Sequence, residues 1–291
     1  MLRDTVSLHR RDCLKMGVAG LAGLALGRNA FADDAKDGGF HLSIQSYTFR
    51  KFSLEKTIEK ISALKIPHVE FYSGHFPVNS SPEKIKAVMK LCKDHGVTPI
   101  SFGVENFTKN HEANKKLFDF AKSIDLKYLT ANPSRDSFDS LDKLCEEYKI
   151  AIAIHPHGPT NLAKKEKALW TTAEQIMAAV KDHNELIGTC LDTGHLIRMA
   201  LIGEPLDVVQ QIKIMGKRNY GFHLKDNDNK ADHNVVFGDP KGVLNVPEVL
   251  KALKEVKFGG FMSIEYEYHD DEPTQDVAAC VKYLRESIAK V

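Results

Sequence analysis

The chain has few of the residues that mark cross-linked or cysteine-based metal proteins. Its 291 residues include only five cysteines and a single tryptophan, Trp170. The cysteines show no close spacing, which argues against both a disulfide framework and a CxxC zinc site. We therefore expect Cys92, Cys145, Cys190 and Cys280 to be small buried side chains.

The chain also lacks an excess of charge of either sign. Forty Lys and Arg residues face 39 Asp and Glu residues, which gives a formal net charge of +1. This balance does not indicate a broad basic surface, so we expect no nucleic-acid partner. The length suits a single α/β barrel, which typically has about 250 residues.

A long hydrophobic run is missing too, although residues 1–32 differ from the rest. Arg10 and Arg11 precede a short apolar stretch over 16–26, and Ala30-Phe31-Ala32 follows it. A charged start, a short apolar region and a small-x-small site are typical of an export signal. The stretch is too short and too rich in glycine to predict a membrane anchor.

This N-terminal pattern resembles a twin-arginine (Tat) signal, in which Phe usually stands where this chain has Cys13. The resemblance implies export of the folded, metal-loaded protein. We predict that residues 1–32 are a Tat-like signal peptide and that 33–39 form a flexible mature N-terminus. The protein would then be periplasmic, with no stable membrane span after cleavage.

Strand-like and helix-like segments alternate from residue 41 to the end of the chain. A Gly-x-Gly-x-x-Gly turn does not follow the first strand, which disfavours the doubly wound dinucleotide fold. Ser53 and Ser81 are predicted to cap the first two helices, and the polar stretch 226–244 is a candidate active-site loop. The predicted strands are 41–47, 68–72, 99–104, 128–131, 150–154, 186–191, 220–224 and 260–264. Eight strand–helix units predict an α/β fold, a single (β/α)8 TIM barrel over 40–291.

Four of the predicted strands lead, at their carboxyl ends, to a side chain that can bind a metal. These side chains are His155, Asp192, His223 and Glu265. The carboxyl ends of barrel strands converge at one face, so two imidazoles and two carboxylates would meet around one divalent cation. The alternatives are a structural salt bridge for Asp192 and a hydrogen-bonded core histidine for His155.

Two further charged residues follow these strands. Side chains two residues apart on a strand share a face, so Lys225 lies with His223 and Glu267 with Glu265. Lys225 is a candidate electrostatic group or proton donor, and Glu267 is a candidate base or hydroxyl binder. A solvated pair at the rim is the alternative interpretation.

Three residues are candidate substrate-binding groups. Glu70 lies mid-strand among apolar residues, so its side chain is expected inside the barrel. His157 follows His155 by two positions and could replace it as a ligand or contact substrate. His195 could contact substrate hydroxyls or cap a helix.

Four sequence segments resemble the xylose-isomerase-like TIM barrel superfamily, in its sugar phosphate isomerase/epimerase group. They are Asp192-Thr-Gly-His195, His223-Leu-Lys-Asp226, Ser263-Ile-Glu265 and Ile44-Gln-Ser-Tyr-Thr-Phe49. The resemblance covers about residues 40–288 and implies that Asp192, His223 and Glu265 bind a divalent cation. It implies manganese first, with zinc, magnesium and cobalt as alternatives.

The fourth family ligand is a glutamate at the end of strand five, where this chain has His155. In the epimerase members, the glutamates of strands five and eight transfer protons on opposite faces of the sugar. His155 can still bind metal and act as a base, but its presence favours a reaction with a single carboxylate base. Glu265, His155, Lys225 and Glu267 are therefore the predicted catalytic residues.

The first hypothesis is an exported metal-dependent sugar isomerase or epimerase that removes a proton α to a ketone and stabilises the enediolate. The second is a lyase that cleaves 3-keto-glycosides by β-elimination at the same metal site. A non-catalytic carbohydrate-binding barrel is a third hypothesis, and a metal-dependent endonuclease is disfavoured by the charge. The expected partner is a small carbohydrate, and a homo-oligomer is left open.

Overall fold

Eight parallel strands form a closed barrel in the computed structural model, which describes residues 37–291. Around the barrel the strands follow the order β1-β8-β7-β6-β5-β4-β3-β2. They are β1 His41–Gln45, β2 His68–Phe71, β3 Thr98–Phe107, β4 Tyr128–Pro133, β5 Ala151–Ile154, β6 Ile187–Asp192, β7 Asn219–Leu224 and β8 Phe261–Ile264. The predicted TIM barrel is confirmed. The predicted signal, residues 1–32, and residues 33–36 lie outside the described residues.

Helices connect successive strands and cover the outside of the barrel. They are α1 Leu54–Ala63, α2 Pro82–Asp94, α3 His111–Ser123, α4 Phe138–Tyr148, α5 Ala173–Val180, α6 Thr193–Arg198, α7 Val208–Met215, α8 Val246–Glu255 and α9 Thr274–Ile288. Short 3-10 helices cover Ser46–Phe49, Arg135–Ser137, Met199–Ile202 and Gly216–Arg218. Within residues 37–291, no helix combines the length and apolarity needed to cross a membrane.

Side-chain caps fix where the first helices begin. The Ser53 hydroxyl accepts a hydrogen bond from Lys56 N at 3.2 Å, and the Ser81 hydroxyl accepts one from Lys84 N at 3.3 Å. Each bond satisfies one of the free N–H groups of a first helical turn. Both predicted caps are therefore confirmed.

The main hydrophobic core lies between the strands and the surrounding helices. A smaller apolar group of Ala153, Cys190 and Phe261 fills the lower part of the barrel interior. Gly221 leaves room for it, since a Cβ there would lie 2.4 Å from the Phe261 ring. All four cysteines of the described chain are free and buried, as predicted.

The polar stretch after β7 is partly ordered as a hairpin, with strands Asp226–Asp228 and His233–Val235 paired antiparallel. Helix α6, at the end of β6, was not predicted, because its six residues are too few for an apolar repeat to show. Helix α7 begins at Val208 and is capped by the side chain of Asp207. A second small hairpin pairs Pro159–Asn161 with Glu166–Lys167.

Candidate metal centre

The structure brings the four predicted ligands together at the carboxyl ends of β5 to β8. His155 directly follows β5, Asp192 ends β6, His223 lies in β7, and Glu265 directly follows β8. All four are buried, and one potential ligand atom from each lies within 4.8 Å of the others. The convergence predicted from the sequence is therefore present in the fold.

The spacing of the donor atoms fits a metal site. His155 Nε2 lies 3.1 Å from His223 Nδ1 and 3.3 Å from Asp192 Oδ2. His223 Nδ1 lies 3.1 Å from Glu265 Oε2. Neighbouring ligands of one cation are separated by roughly 3.0–3.4 Å when each bond is about 2.1 Å long. The donors therefore stand where neighbouring ligands of one ion would stand.

The charge balance of the cluster also fits a divalent cation. Within residues 37–291, the carboxylates of Asp192, Glu265 and Glu267 contact the Lys225 ammonium, and a fourth carboxylate, that of Glu70, contacts His223. Asp192 Oδ2 is buried and lies 3.1 Å from the Lys225 ammonium and 3.3 Å from His155 Nε2. Uncompensated buried charge is costly, so a dication would relieve the excess of negative charge.

Asp192 has two functions because its two oxygens face different partners. Oδ1 accepts a hydrogen bond from His195 N at 2.8 Å and so caps helix α6. Oδ2 faces the cluster instead. Burial alone would raise the pKa of Asp192, but the Lys225 ammonium and the nearby histidines hold it well below its usual value. The side chain is therefore a carboxylate at neutral pH.

Thr193 and Gly194 hold Lys225 in place. The Thr193 hydroxyl accepts a hydrogen bond from Lys225 N at 2.8 Å and donates one to Lys225 O at 2.6 Å. Gly194 leaves space for the lysine stem, since a Cβ there would lie 2.7 Å from Lys225 Cδ. The first residues of α6 therefore pack directly against Lys225, which follows the end of β7.

Lys225 reaches the cluster from the rim of the barrel. Its ammonium lies 3.1 Å from Asp192 Oδ2, 2.9 Å from Glu265 Oε2 and 2.5 Å from Glu267 Oε1. Burial alone would lower the pKa of Lys225, but these carboxylates hold it well above its usual value. Lys225 shares the site with His223, and Glu267 shares it with Glu265, as the strand periodicity predicts.

Glu70 lies below the cluster. It is fully buried, and its Oε2 lies 2.7 Å from His223 Nε2 and accepts a hydrogen bond from the Ser263 hydroxyl at 2.7 Å. A carboxylate only accepts hydrogen bonds, so His223 Nε2 carries the proton and Nδ1 is left to face the cluster. Glu70 therefore contacts His223, and its predicted role in substrate binding stays a prediction.

His157 and His195 line the space above the cluster. Their ring centroids lie 4.7 Å and 5.4 Å from that of His155, and the three histidines form a second group able to hold a metal. Burial, reinforced by the nearby charge of His155, lowers the pKa of His157 to about 4. Burial also holds the pKa of His195 well below its usual value. Both imidazoles are therefore neutral and able to hydrogen-bond hydroxyl groups.

A cavity of about 360 Å³ opens directly onto this site. His155, Glu265 and Glu267 form part of its wall, and Tyr47 and Tyr72 form an aromatic wall with ring centroids 5.3 Å apart. Sequence analysis did not select these tyrosines. Both lie just beyond the carboxyl end of a barrel strand, and that position was the available signal. Aromatic faces beside polar groups suit a ligand with both C–H and hydroxyl surfaces.

The sequence of this chain matches a known family over most of its length. Residues 58–287 match the model of the xylose isomerase-like TIM barrel family, and the chain belongs to that family. It is also 29% identical over 124 residues to MJ1311, an uncharacterized protein of Methanocaldococcus jannaschii. That match spans 42% of this chain and 39% of the relative, so it covers less than half of either protein.

Solved structures share the fold over most of the chain. An uncharacterized protein from Parabacteroides distasonis is 27% identical, with a TM-score of 0.61, over 85% of this chain and 98% of its own. D-psicose 3-epimerase from Clostridium cellulolyticum is 17% identical, with a TM-score of 0.67, over 86% and 99%. The 3-keto-D-glucoside 4-epimerase of E. coli is 13% identical, with a TM-score of 0.65, over 85% and 99%. At these identities the two epimerases show a shared fold.

Proposed function

We propose that the protein is a divalent-metal-dependent sugar isomerase or epimerase that removes a proton α to a carbonyl group. The observation that carries the proposal is the four-donor cluster, flanked by the Lys225–Glu267 pair, at the floor of a cavity with an aromatic wall. Two epimerases with this fold act on ketosugars or keto-glucosides according to their names, which supports a carbohydrate substrate.

His155, Asp192, His223 and Glu265 would hold the cation. Two imidazoles and two carboxylates suit several divalent ions, and we propose manganese, with zinc, cobalt and magnesium as alternatives to be tested. When bound, such an ion supplies Lewis acidity to a carbonyl oxygen, which acidifies the adjacent C–H bond.

The residues around the cavity have different proposed roles in proton transfer, charge stabilisation and substrate binding. Glu265 is the proposed base, because its carboxylate is buried and ionised: the Lys225 ammonium outweighs burial and lowers the pKa of Glu265. In an isomerisation the proton moves from carbon to Glu265 and returns to the neighbouring carbon, while the hydroxyl proton passes from its oxygen to the former carbonyl oxygen. Lys225 balances the negative charge that develops on the substrate, and Glu267 orients Lys225. His157 and His195 would hydrogen-bond the hydroxyls.

Epimerisation needs a second proton-transfer group on the opposite face of the sugar. In this protein His155 is the candidate, at 3.1 Å from His223 across the cluster. The presence of His155 instead of a second glutamate leaves Glu265 as the single carboxylate base. A single base is sufficient for a lyase, so the lyase is the second candidate function. In that reaction Glu265 takes the α proton, the bond to the β oxygen breaks, and the leaving oxygen takes a proton from the Lys225–Glu267 pair.

Hydrogen exchange tests the proposal directly. The manganese-loaded protein is incubated in D₂O with D-psicose and with methyl 3-keto-β-D-glucoside, and deuterium incorporation is followed by NMR. We expect exchange at a carbon next to the carbonyl, lost in Glu265→Gln and retained in the exposed control Glu248→Gln. Exchange without release of methanol supports the isomerase, and methanol release supports the lyase. No exchange with either sugar would favour the carbohydrate-binding hypothesis.

We also propose export, which depends on the sequence of residues 1–32 alone. Mass spectrometry of the protein from a Tat-competent bacterial host should find a mature N-terminus at Asp33 in the periplasm. Substituting both Arg10 and Arg11 by Lys should retain the full-length chain in the cytoplasm. Efficient export of the Lys–Lys variant would contradict the Tat assignment.

A further inference from the structure

A second cavity lies beside the one that opens onto the metal centre. It has a volume of about 270 Å³, and its wall includes His195 and Glu267, which also belong to the wall of the first cavity. These two side chains are thus the boundary between two adjoining spaces. His155 and Glu265 line the cavity at the metal centre, whereas Lys225 lines the second cavity.

The wall of the second cavity is polar and largely comes from the hairpin after β7. Arg198 and Asp232 form a two-point ion pair, with nitrogen–oxygen distances of 2.6 and 2.9 Å. Asn227 and Asn234 add buried amide groups. Paired guanidinium, carboxylate and amide groups present both donors and acceptors, as the recognition of several hydroxyls requires.

The second cavity also has an aromatic face. The rings of His233 and Tyr268 stack with centroids 4.2 Å apart and an interplanar angle of 6°. Tyr268 is 39% exposed although it is a large aromatic residue. His269 also packs over the Tyr268 ring, with centroids 4.1 Å apart, so Tyr268 offers the exposed edge of its ring, rather than a free face, as an apolar contact for a sugar.

The boundary between the cavities is held in place by the same hairpin. Asn234 Oδ1 accepts a hydrogen bond from Glu267 N at 2.8 Å, and the Glu267 side chain bonds the Lys225 ammonium. Glu265 and Glu267 both contact the Lys225 ammonium, at 2.9 and 2.5 Å, so a second ring attached to a sugar that reacts at Glu265 would enter the second cavity past Glu267. The proposed proton donors to a leaving oxygen stand at this boundary.

We infer that the second cavity is a subsite for a second sugar unit, so that the substrate is a glycoside of disaccharide size rather than a free ketose. This inference rests on the proposed function for the position of the reacting ring. It assigns the polar loop after β7 to substrate recognition, with the exposed edge of Tyr268 as the apolar contact and the Arg198–Asp232 pair as the hydroxyl-binding group.

Binding can be measured without turnover, because methyl glycosides cannot open to a carbonyl form and so cannot lose an α proton. Calorimetry of the manganese-loaded full chain would compare methyl β-cellobioside and methyl β-maltoside with methyl β-D-glucoside. We expect at least one disaccharide to bind about tenfold more tightly, equivalent to about 1.4 kcal/mol. Tyr268→Ala and Arg198→Gln should each reduce this ratio severalfold. Leu169→Ala, which truncates an exposed residue outside both cavity walls, is the control.

Equal affinity for the disaccharides and the methyl glucoside would overturn the subsite, as would a ratio unchanged in both variants. Deuterium exchange, run on the same preparations, separates this outcome from failure of the proposed function. Exchange without a disaccharide preference would leave the isomerase and remove the subsite. A disaccharide preference that depends on Tyr268, without exchange, would retain the subsite in a carbohydrate-binding protein.

Discussion

Glu70 and His223 form a buried carboxylate–imidazole pair, with Glu70 Oε2 2.7 Å from His223 Nε2 and neither side chain exposed. The pair fixes which nitrogen of His223 faces the other ligands. The negative charge of Glu70 beside Nε2 also increases the basicity of Nδ1, which makes Nδ1 a stronger metal ligand. Glu70 would thus act on the proposed metal centre through His223.

Removing the charge of Glu70 should weaken metal binding. We expect Glu70→Gln to bind manganese about 10–100-fold more weakly, because partners of this kind orient a ligand and raise its basicity. Competition with a fluorescent chelator measures the change. The control Glu59→Gln makes the same chemical change at an exposed position of α1. Equal affinities of the Glu70 variant and wild type would show that His223 is oriented by other contacts.

Two substitutions can separate the roles of the two Asp192 oxygens, helix capping by Oδ1 and metal binding by Oδ2. Asn caps a helix about as well as Asp, so Asp192→Asn should lose metal while α6 is retained. Asp192→Ala should lose the metal and also the cap, at an additional cost of about 1 kcal/mol in the free energy of unfolding. Elemental analysis and urea unfolding of the apo proteins measure the two effects. Full metal occupancy in Asp192→Asn would remove Asp192 from the ligand set.

The Thr193 hydroxyl should contribute to stability through Lys225. Thr193→Val keeps the shape of the side chain but leaves the Lys225 N–H without its partner, at a cost of about 1–3 kcal/mol. Thr193→Ser keeps the hydroxyl and is the matched control. Urea unfolding should place the serine variant close to wild type and the valine variant well below it. A loss of stability in the serine variant but not in the valine variant would assign the effect to the methyl group instead.

His75 should make the fold less stable in acid. Burial lowers the pKa of His75, with smaller opposing effects from Phe52, Phe49 and Glu55. The unfolded chain therefore takes up a proton near pH 6.5 while the folded protein stays neutral, so stability falls as the pH drops below that value. The slope is at most about 1.4 kcal/mol per pH unit for one proton.

Replacing His75 should flatten this dependence. His75 Nε2 lies 3.0 Å from Phe52 O, and the amide of His75→Gln can donate to the same oxygen. Unfolding measured between pH 7 and pH 5 should show a smaller slope in the variant. His111→Gln, at the partly exposed first position of α3, serves as the comparison. Identical slopes in wild type and His75→Gln would exclude His75 as the source.

The sequence predicts the eight strands well, because each strand is a short apolar run and a helical segment separates it from the next strand. It also predicts the shared faces of His223 with Lys225 and of Glu265 with Glu267, since alternation along a strand is a local property. Alternation places Glu70 inside the barrel as well. It does not give the height of Glu70 along the barrel axis, which depends on the register with neighbouring strands.

Other parts of the site depend on contacts that no local pattern reports. Helix α6 is short and is fixed by one side-chain cap from Asp192, so an apolar repeat cannot reveal it. The second cavity forms where the hairpin over 226–235 meets Tyr268, which is distant in the sequence. The aromatic wall similarly combines residues that follow different strands, Tyr47 and Tyr72.

The polar layer around Glu70 has a consequence for engineering this fold. Hydroxyls of Ser101, Thr130 and Ser263 bond this carboxylate in the centre of the barrel, where apolar packing would normally give more stability. A search for thermostable variants would therefore tend to select hydrophobic replacements here. We expect such variants to melt at higher temperature while losing control of the His223 ring, so a library built for heat resistance should leave this layer unchanged.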